Sequence, residues 1–348
     1  MNEKLNRRDF LKKGSTAAIG AGLAMTSGFP SSAPQTDAAR IIEVKHSKVL
    51  EDERLINVDI AREMLRAGMK SLTNSDNPWA HFIKPDEKIG LKINTLGRPI
   101  LFTHHGLLQA LSDELEEYGV KKDHIIIWDR FERHMENCNF ELTRKTGKVK
   151  CYGTIASGKD QDLIDKDVFF ESDFDNPKKR EESGIRSNFS KIFTQHCDKI
   201  INLPVLKDHR LSGVTLSLKN VAYGVCENNS RFHGEAHIGP FIAGVCALPQ
   251  VRRKVVLHIL DGLEACYDQG PRPRQLRALF SPQSLWFSTD PVALDAVGFS
   301  LIDRERKFRA LPSLEEEGRP IDHIALAAKK GLGVSDLNRI KVEKIKMG

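Results

Sequence analysis

Strand-like and helix-like segments alternate along most of this chain. Residues 124–128 form a continuous apolar run bounded by charged residues, which is typical of a strand buried on both faces of a sheet. Residues 56–72 instead place apolar side chains at the three- and four-residue spacing of an amphipathic helix. Because such alternation builds parallel sheets, the sequence predicts an α/β fold with a mainly parallel sheet and helices on both faces.

The same patterns predict the remaining elements. The predicted strands are 88–94, 124–128, 199–205, 254–260, 285–288 and 340–345. The predicted helices are 56–72, 106–118, 216–225, 291–302 and 321–330, with Asp290 placed to cap the fourth. Residues 134–190 are rich in Gly, Asn and Asp, so we expect a loop-rich insertion in a single α/β domain that spans residues 40–348. The chain contains neither a dinucleotide-binding GxGxxG fingerprint nor a phosphate loop.

The N-terminus has the organisation of a secretory signal. Arg7 and Arg8 precede Phe-Leu-Lys, a mild apolar run follows over residues 17–25, and small residues come next. The paired arginines favour the twin-arginine translocase as the export partner, with residues 1–39 as the signal peptide and cleavage at Ala38 or Ala39. We therefore expect a periplasmic or otherwise extracytoplasmic protein that is exported folded. The alternative is a basic amphipathic N-terminal helix.

Composition narrows the possible partners of the exported chain. Residues 1–39 hold five Lys or Arg and three acidic residues, so 48 basic and 44 acidic residues remain, a net charge of +4. With no basic stripe interleaved with aromatic residues, nucleic-acid binding is not expected. No later stretch reaches eighteen uninterrupted apolar residues, so we expect no membrane span in the mature chain.

The cysteines do not form a recognisable cluster. None of the six belongs to a CxxC motif, so an iron–sulfur cluster is not expected. Buried thiols, or one or two disulfides, are the main interpretation, and a metal role for Cys226 is the alternative.

Polar residues follow the predicted strands at the points where the strands end. In a parallel sheet ligands bind beyond these carboxyl ends, so these residues are candidates for a common site, although each could also be an ordinary surface or core residue. The candidate cofactor-binding residues are Lys92, Asn94, Lys207, Asn220 and Asp261. The candidate catalytic residues are Arg98, His105 (or His104), His209 and Lys219. His233 and His237, with Glu235 between them, are candidate metal ligands.

Several ordered motifs resemble a known family. Four segments resemble the signature of domain-of-unknown-function family 362. They are residues 200–209 (Ile-Ile-Asn-Leu-Pro-Val-Leu-Lys-Asp-His), Leu218-Lys219-Asn220, residues 288–295 and Gly331-Leu-Gly333. The resemblance covers roughly residues 50–345. Many members of that family carry a ferredoxin-like cysteine cluster, which this chain lacks.

A remoter resemblance concerns chemistry. Arg98-Pro99, the two histidines at 104 and 105, and His209 ahead of Lys219 are similar to the N-terminal half of the nickel-pincer lactate racemases. The resemblance implies that Arg98 binds a substrate carboxylate, His105 (or His104) and His209 exchange protons, Lys219 tethers the cofactor, and His233 or His237 binds the metal. This chain has Ser217-Leu218 where those enzymes have Gly-Gly beside the tethering lysine, and it is too short for their second domain.

These observations predict an exported, cofactor- or metal-dependent enzyme that acts on a small anionic substrate, with acid–base or redox chemistry at a hydroxy-acid-like carbon. The alternative is a non-catalytic periplasmic protein that binds a metal or cofactor. A charged lysine is costly in a core, so we expect His209 and Lys219 to line a cleft, with a metal ion as a possible cofactor.

Overall fold

The computed structural model of the chain describes residues 38–51, 54–158, 161–172, 178 and 184–348. The predicted signal peptide lies outside this part, except for its last two residues, Ala38 and Ala39. The strands are β1 (Ala39–His46), β2 (Ile89–Lys92), β3 (Ile125–Phe131), β4 (Lys150–Ile155), β5 (Ile164–Glu171), β6 (Arg186–Ser190), β7 (Lys199–Asn202), β8 (Val205–His209), β9 (Gly213–Val214), β10 (Val255–Cys266), β11 (Leu279–Phe280), β12 (Ser284–Ser288) and β13 (Ile340–Met347). The helices are α1 (Val58–Thr73), α2 (His105–Tyr118), α3 (Glu132–Glu136), α4 (Leu216–Val225), α5 (Glu235–Ala247), α6 (Pro249–Lys254), α7 (Pro291–Phe308) and α8 (Asp322–Lys329).

One large sheet organises the molecule. Its strand order is β13-β1-β12-β10-β7-β2-β3-β4; β8 and β11 also pair with β10, and β9 pairs with β8. The five strands from β10 to β4 are mutually parallel, and β12 runs antiparallel to both of its neighbours. The predicted mainly parallel α/β fold is confirmed.

Helices cover both faces of this sheet, and each face has its own apolar core. Successive residues of β7 show the division, because Ile200 belongs to the core on one face and Ile201 to the core on the other. Met64 of α1 and Leu111 of α2 pack with Ile201, whereas α4, α5 and α7 pack on the opposite face. This alternation follows from the two-residue period of a strand.

The predicted strands and helices from residue 56 onward are all present, with shifts at their ends. β7 stops at Asn202, and the chain continues past Pro204 into a separate strand, β8. β10 continues past residue 260 to Cys266. Asp290 caps α7 as expected, since its Oδ1 accepts a hydrogen bond from the Ala293 amide at 2.8 Å.

Two parts of the fold need separate mention. Within residues 134–190, β4 forms an edge of the main sheet, and β5 and β6 form a small antiparallel sheet of their own. The division into one domain with an insertion stays a prediction. In the described part of the chain, no helix combines the length and apolar character that a membrane crossing requires.

Candidate functional site

The polar residues predicted from strand ends meet at one edge of the sheet. β2 ends at Lys92, which lies opposite Asn202 at the end of β7. Asn202 in turn lies opposite His258 in β10. The loop 93–104 leaves β2 at this same edge, so the side chains that follow the strands are brought together in space.

A chain of amides and lysines forms the floor of this edge. Lys207 Nζ donates a hydrogen bond to Asn94 Oδ1 at 2.5 Å, and Asn94 Nδ2 donates to Asn220 Oδ1 at 2.9 Å. Asn220 Nδ2 donates to Asn202 Oδ1 at 2.8 Å, and Lys92 Nζ lies 3.3 Å from Asn220 Oδ1. All five residues are buried, and their polar atoms provide hydrogen-bond partners for one another, as buried polar groups require.

The two lysines of this network differ in their counter-ions. Lys92 Nζ forms an ion pair with Asp129 Oδ1 at 2.8 Å. Burial raises the pKa of Asp129, but the charge of Lys92 and its hydrogen bond lower it by more. Lys207 has no carboxylate within ion-pair distance among the described residues, and burial lowers the pKa of its amine to about 8.

His209 and Lys219 contact each other directly. His209 Nδ1 accepts hydrogen bonds from the backbone amides of Leu211 and Ser212, so a neutral imidazole must carry its proton on Nε2. Lys219 Nζ lies 2.6 Å from that Nε2. If Lys219 were an ammonium group, its N–H would face the N–H of His209 Nε2, and neither group could accept a hydrogen bond. The pattern therefore requires Lys219 to be a neutral amine that accepts a hydrogen bond from Nε2.

The electrostatics of the pair agree with this assignment. Burial, followed by the charge of Lys207, holds the pKa of Lys219 well below its usual range. Burial, followed by Lys219, likewise holds the pKa of His209 well below 6.5. The expectation that both residues line an open cleft was wrong, since each is only 3% exposed. The core tolerates Lys219 because a neutral amine avoids the cost of burying a charge.

His104 also lies at this edge of the sheet, next to two carboxylates. Its Nδ1 donates to Asp261 Oδ2 at 2.8 Å, and its Nε2 lies 3.6 Å from Glu264 Oε2. Burial lowers the pKa of His104, but the charge and hydrogen bond of Asp261 raise it by more, to about 9. Asp261, predicted to bind a cofactor, is therefore occupied in orienting a protonated imidazole.

His105 lies beside His104 but in different surroundings. Its Nε2 donates to the Cys138 carbonyl at 2.7 Å, and its ring packs 4.2 Å from the centre of the Phe140 ring. His104 and His105 both line a groove of about 1040 Å³, here called the histidine groove. One face of α2 forms a wall of this groove, and Ser112 on that face has a buried hydroxyl with no partner among the described residues.

Arginines line a second cavity, of about 940 Å³, which shares Pro99 and Ile100 with the histidine groove. We call this cavity the arginine cleft. Its arginines come from four separate loops and are Arg98, Arg210, Arg272, Arg274 and Arg319. In the described residues only Arg319 has carboxylate partners, which are Asp208 and Glu317, each at 2.6 Å, and Asp268 at 3.5 Å.

Arg98 is the most enclosed of the unpaired arginines. Its Nη1 is buried and has no hydrogen-bond partner among the described residues. Burial, together with the nearby charges of Arg272 and Arg133, lowers the pKa of Arg98. Burial and the charge of Arg98 also lower the pKa of His134 to about 4, so this imidazole is neutral. This like-charge cluster suits an anionic ligand.

The predicted metal ligands are less closely associated. His233 is exposed and packs edge-on against Tyr223, and His237 is partly exposed on α5. The Glu235 side chain lies outside the part that the structure describes. Within that part, no group of three or more His, Cys, Asp or Glu side chains is arranged to hold a metal ion. The metal site stays a prediction.

The surroundings of Lys219 do not fit a nickel-pincer nucleotide. Its amine is enclosed by His209, Ser212 and the ring of Tyr223. Ser217 and Leu218, which stand where the lactate racemases have Gly-Gly, are fully buried. A bulky cofactor tethered there would displace core side chains.

Several residues of this edge were missed by sequence reasoning. Asn202 lies inside the quoted family signature and could have been chosen as a strand-end amide. Asp129 directly follows the apolar run 124–128, which was a usable signal. His134, Arg210, Arg272 and Arg274 lie in loops or short helices, and nothing in their local sequence marks them as neighbours.

The fold and site define an α/β protein with a buried amide–lysine network beside an arginine-lined cleft. Residues 89–300, well over half of the chain, match the family described as a domain of unknown function, DUF362, and the protein belongs to that family.

Other comparisons add little. No curated protein matches the chain. A crystal structure of a protein from Thermotoga maritima aligns with a TM-score of 0.38 and 10% sequence identity. The alignment covers 59% of this chain and 50% of that one, so this chain spans half the length of the Thermotoga protein.

Proposed function

We propose that this protein is an exported enzyme that performs acid–base chemistry on a small anionic substrate bound at the carboxyl edge of the sheet. The observation that carries the proposal is the buried Nη1 of Arg98, which has no hydrogen-bond partner in the described part of the chain and lies in a cleft of like-charged arginines. A guanidinium group offers two parallel N–H donors to a carboxylate or phosphate, so Arg98 is the candidate anion clamp.

Two imidazoles in opposite protonation states support a proton-transfer role. His104 has a pKa of about 9 and is a candidate acid, whereas His134 has a pKa of about 4 and is a candidate base. Environments that push two pKa values apart are a common arrangement for acid–base pairs. A bound anion would offset the charge of Arg98 and so raise the pKa of His134 toward neutrality, where a base is most effective. The predicted roles of His105, His209 and Lys219 remain predictions.

Solvent deuterium exchange tests the enzymatic proposal. Protein purified from its native host, with any cofactor retained, is incubated in D₂O with a panel of small hydroxy acids, and exchange at the carbon beside the carboxylate is followed by NMR. We expect exchange for at least one acid, and a loss of at least about tenfold in Arg98→Lys and His104→Gln. Arg98→Lys removes the two parallel N–H donors of the guanidinium group, and His104→Gln removes the protonated imidazole. Arg253→Lys, at an exposed position on α6, is the matched control. Stoichiometric binding without exchange would favour the non-catalytic binding protein instead.

We also propose export by the twin-arginine route. Cleavage after Ala38 would leave β1 complete, whereas cleavage after Ala39 would remove its first residue. Replacing Arg7 and Arg8 with lysine should leave precursor in the cytoplasm, and mass spectrometry of the exported form should place its N-terminus at residue 39 or 40. Normal periplasmic recovery of the double variant would refute this route.

A further inference from the structure

The charge in the arginine cleft is not balanced by the protein itself. Arg98, Arg210, Arg272 and Arg274 have no carboxylate within ion-pair distance in the described part of the chain. Among the described residues, Asp268 is the only acidic one that lines the cleft, and it lies 3.3 Å from Arg306 and 3.5 Å from Arg319. The lining therefore carries an excess of about four positive charges.

The arginines also approach from different directions. Arg98 lies in the loop after β2, Arg210 directly follows β8, and Arg272 and Arg274 lie in the loop between β10 and β11. A monocarboxylate has one charge and two oxygens, which one guanidinium can engage in full. A ligand that satisfies several converging arginines needs more oxygens and more charge.

We infer that the arginine cleft binds a small ligand with at least two negative charges, either a phosphoryl compound or a polycarboxylate. The shared chemistry is a dense set of anionic oxygens presented to guanidinium groups on three loops. This inference rests on the proposed function in that it specifies the substrate class of the same site. A volume of about 940 Å³ suits a small molecule with room for ordered water.

Calorimetric titration of the purified full chain tests the charge requirement. The probes are lactate as a monoanion, malate as a dicarboxylate and phosphoglycolate as a phosphoryl compound, each at low and moderate salt. We expect at least one multiply charged probe to bind at least about tenfold more tightly than lactate, with a steeper loss of affinity as salt is added. The tighter of malate and phosphoglycolate then identifies which anionic group the cleft prefers.

Single variants connect this preference to the cleft. Arg272 and Arg274 are exposed, so Arg272→Met and Arg274→Met should fold normally. We expect each to weaken the multiply charged probe by about tenfold, the value of one charge-assisted hydrogen bond, and to change lactate binding much less. Arg253→Met, at an exposed arginine outside the cleft, is the control and should change neither affinity.

The outcomes separate this inference from the enzymatic proposal. Three outcomes would each overturn the inference. Lactate, malate and phosphoglycolate could bind with equal affinity, or no multiply charged probe could bind at all. In the third outcome, Arg272→Met weakens lactate binding as much as it weakens binding of the multiply charged probe. Tight, arginine-dependent binding of a multiply charged probe with no proton exchange would instead refute the enzyme and leave the inference standing. Proton exchange on a monocarboxylate, with no tighter binding of the multiply charged probes, would refute the inference and leave the enzymatic proposal standing.

Discussion

Replacing Lys219 with methionine tests whether the buried amine is neutral in the folded protein. Methionine fills a similar volume and cannot be protonated, so the variant removes the titration and leaves most of the packing. Lys219 is 3% exposed, and its amine lies 2.6 Å from His209 Nε2. If the amine is neutral, the folded wild type binds one proton fewer than the unfolded chain at neutral pH.

The sign and size of the effect follow from this difference in bound protons. Burial depresses the folded pKa of Lys219 well below 10.5, while the unfolded chain keeps an ordinary lysine pKa. Between these two values the unfolded state holds the extra proton, so the free energy of unfolding of the wild type rises with pH. The slope is about 1.4 kcal/mol per pH unit relative to Lys219→Met, or about 2.7 kcal/mol over two units inside this window.

Urea unfolding of both proteins at several values between pH 6 and pH 9 provides the measurement. Groups whose shifted pKa values do not depend on Lys219, such as Asp295, titrate in both proteins and cancel in the difference. Lys307→Met is the matched control, because this lysine of α7 is exposed and its removal should give a difference that does not vary with pH. A wild-type minus Lys219→Met difference that is flat, or that falls as pH rises, would show that Lys219 is charged in the folded state.

Three further predictions follow from the same structure. Asp295 accepts hydrogen bonds from the backbone amides of Ser217 and Leu218 at 2.7 and 3.0 Å, so Asp295→Ala leaves two buried donors unpaired. The variant should lower the free energy of unfolding, measured with denaturant, by roughly 2–5 kcal/mol. An unchanged unfolding midpoint would contradict this. The pKa of His134, about 4 in the free protein, should rise when a multiply charged anion binds beside Arg98, which an NMR titration of the imidazole protons would detect; the same pKa in the free and saturated protein would argue against that contact. The six cysteines are buried, and no three metal-ligating side chains of the described residues are grouped to hold a metal, so anaerobically purified protein should show no acid-labile sulfide and should react with a thiol reagent only after unfolding. A stoichiometric iron–sulfur cluster would overturn that interpretation.

The main sheet was predictable because the local composition of its strands reflects whether they are buried. A strand that is covered by helices on both faces carries apolar side chains at successive positions, as residues 125–128 of β3 and residues 200–201 of β7 show in the sequence alone. The amphipathic helices α1 and α2 were equally clear, because each exposes one face to solvent.

The elements that were missed lack such a signal. Helix α5 is mostly apolar, with no polar face, and it contains Pro240, so neither period nor composition marked it as a helix. Its first turn was interpreted instead as a metal-binding loop. β1 begins at Ala39, the last residue assigned to the signal peptide, and its place between β12 and β13 depends on pairing with strands from the opposite end of the chain.

The sequence by itself determined that several polar side chains share the carboxyl edge of the sheet. In a parallel sheet every strand ends on the same side, so Lys92, Asn94, Lys207 and Asn220 could be assigned to one edge from their positions after apolar runs. This assignment requires only local pattern and the handedness of the chain connections.

Only the tertiary structure decided what those side chains contact and which of them carry charge. His104 and Asp261 are 157 residues apart, and Asn94 and Lys207 are 113 residues apart, so no local pattern records that they pair. The pKa of a group depends on its burial and on the charges within a few ångströms, and both are set by packing from distant segments. Two buried lysines that look equivalent in sequence therefore differ in state: Lys92 faces a carboxylate, whereas Lys219 faces a neutral imidazole.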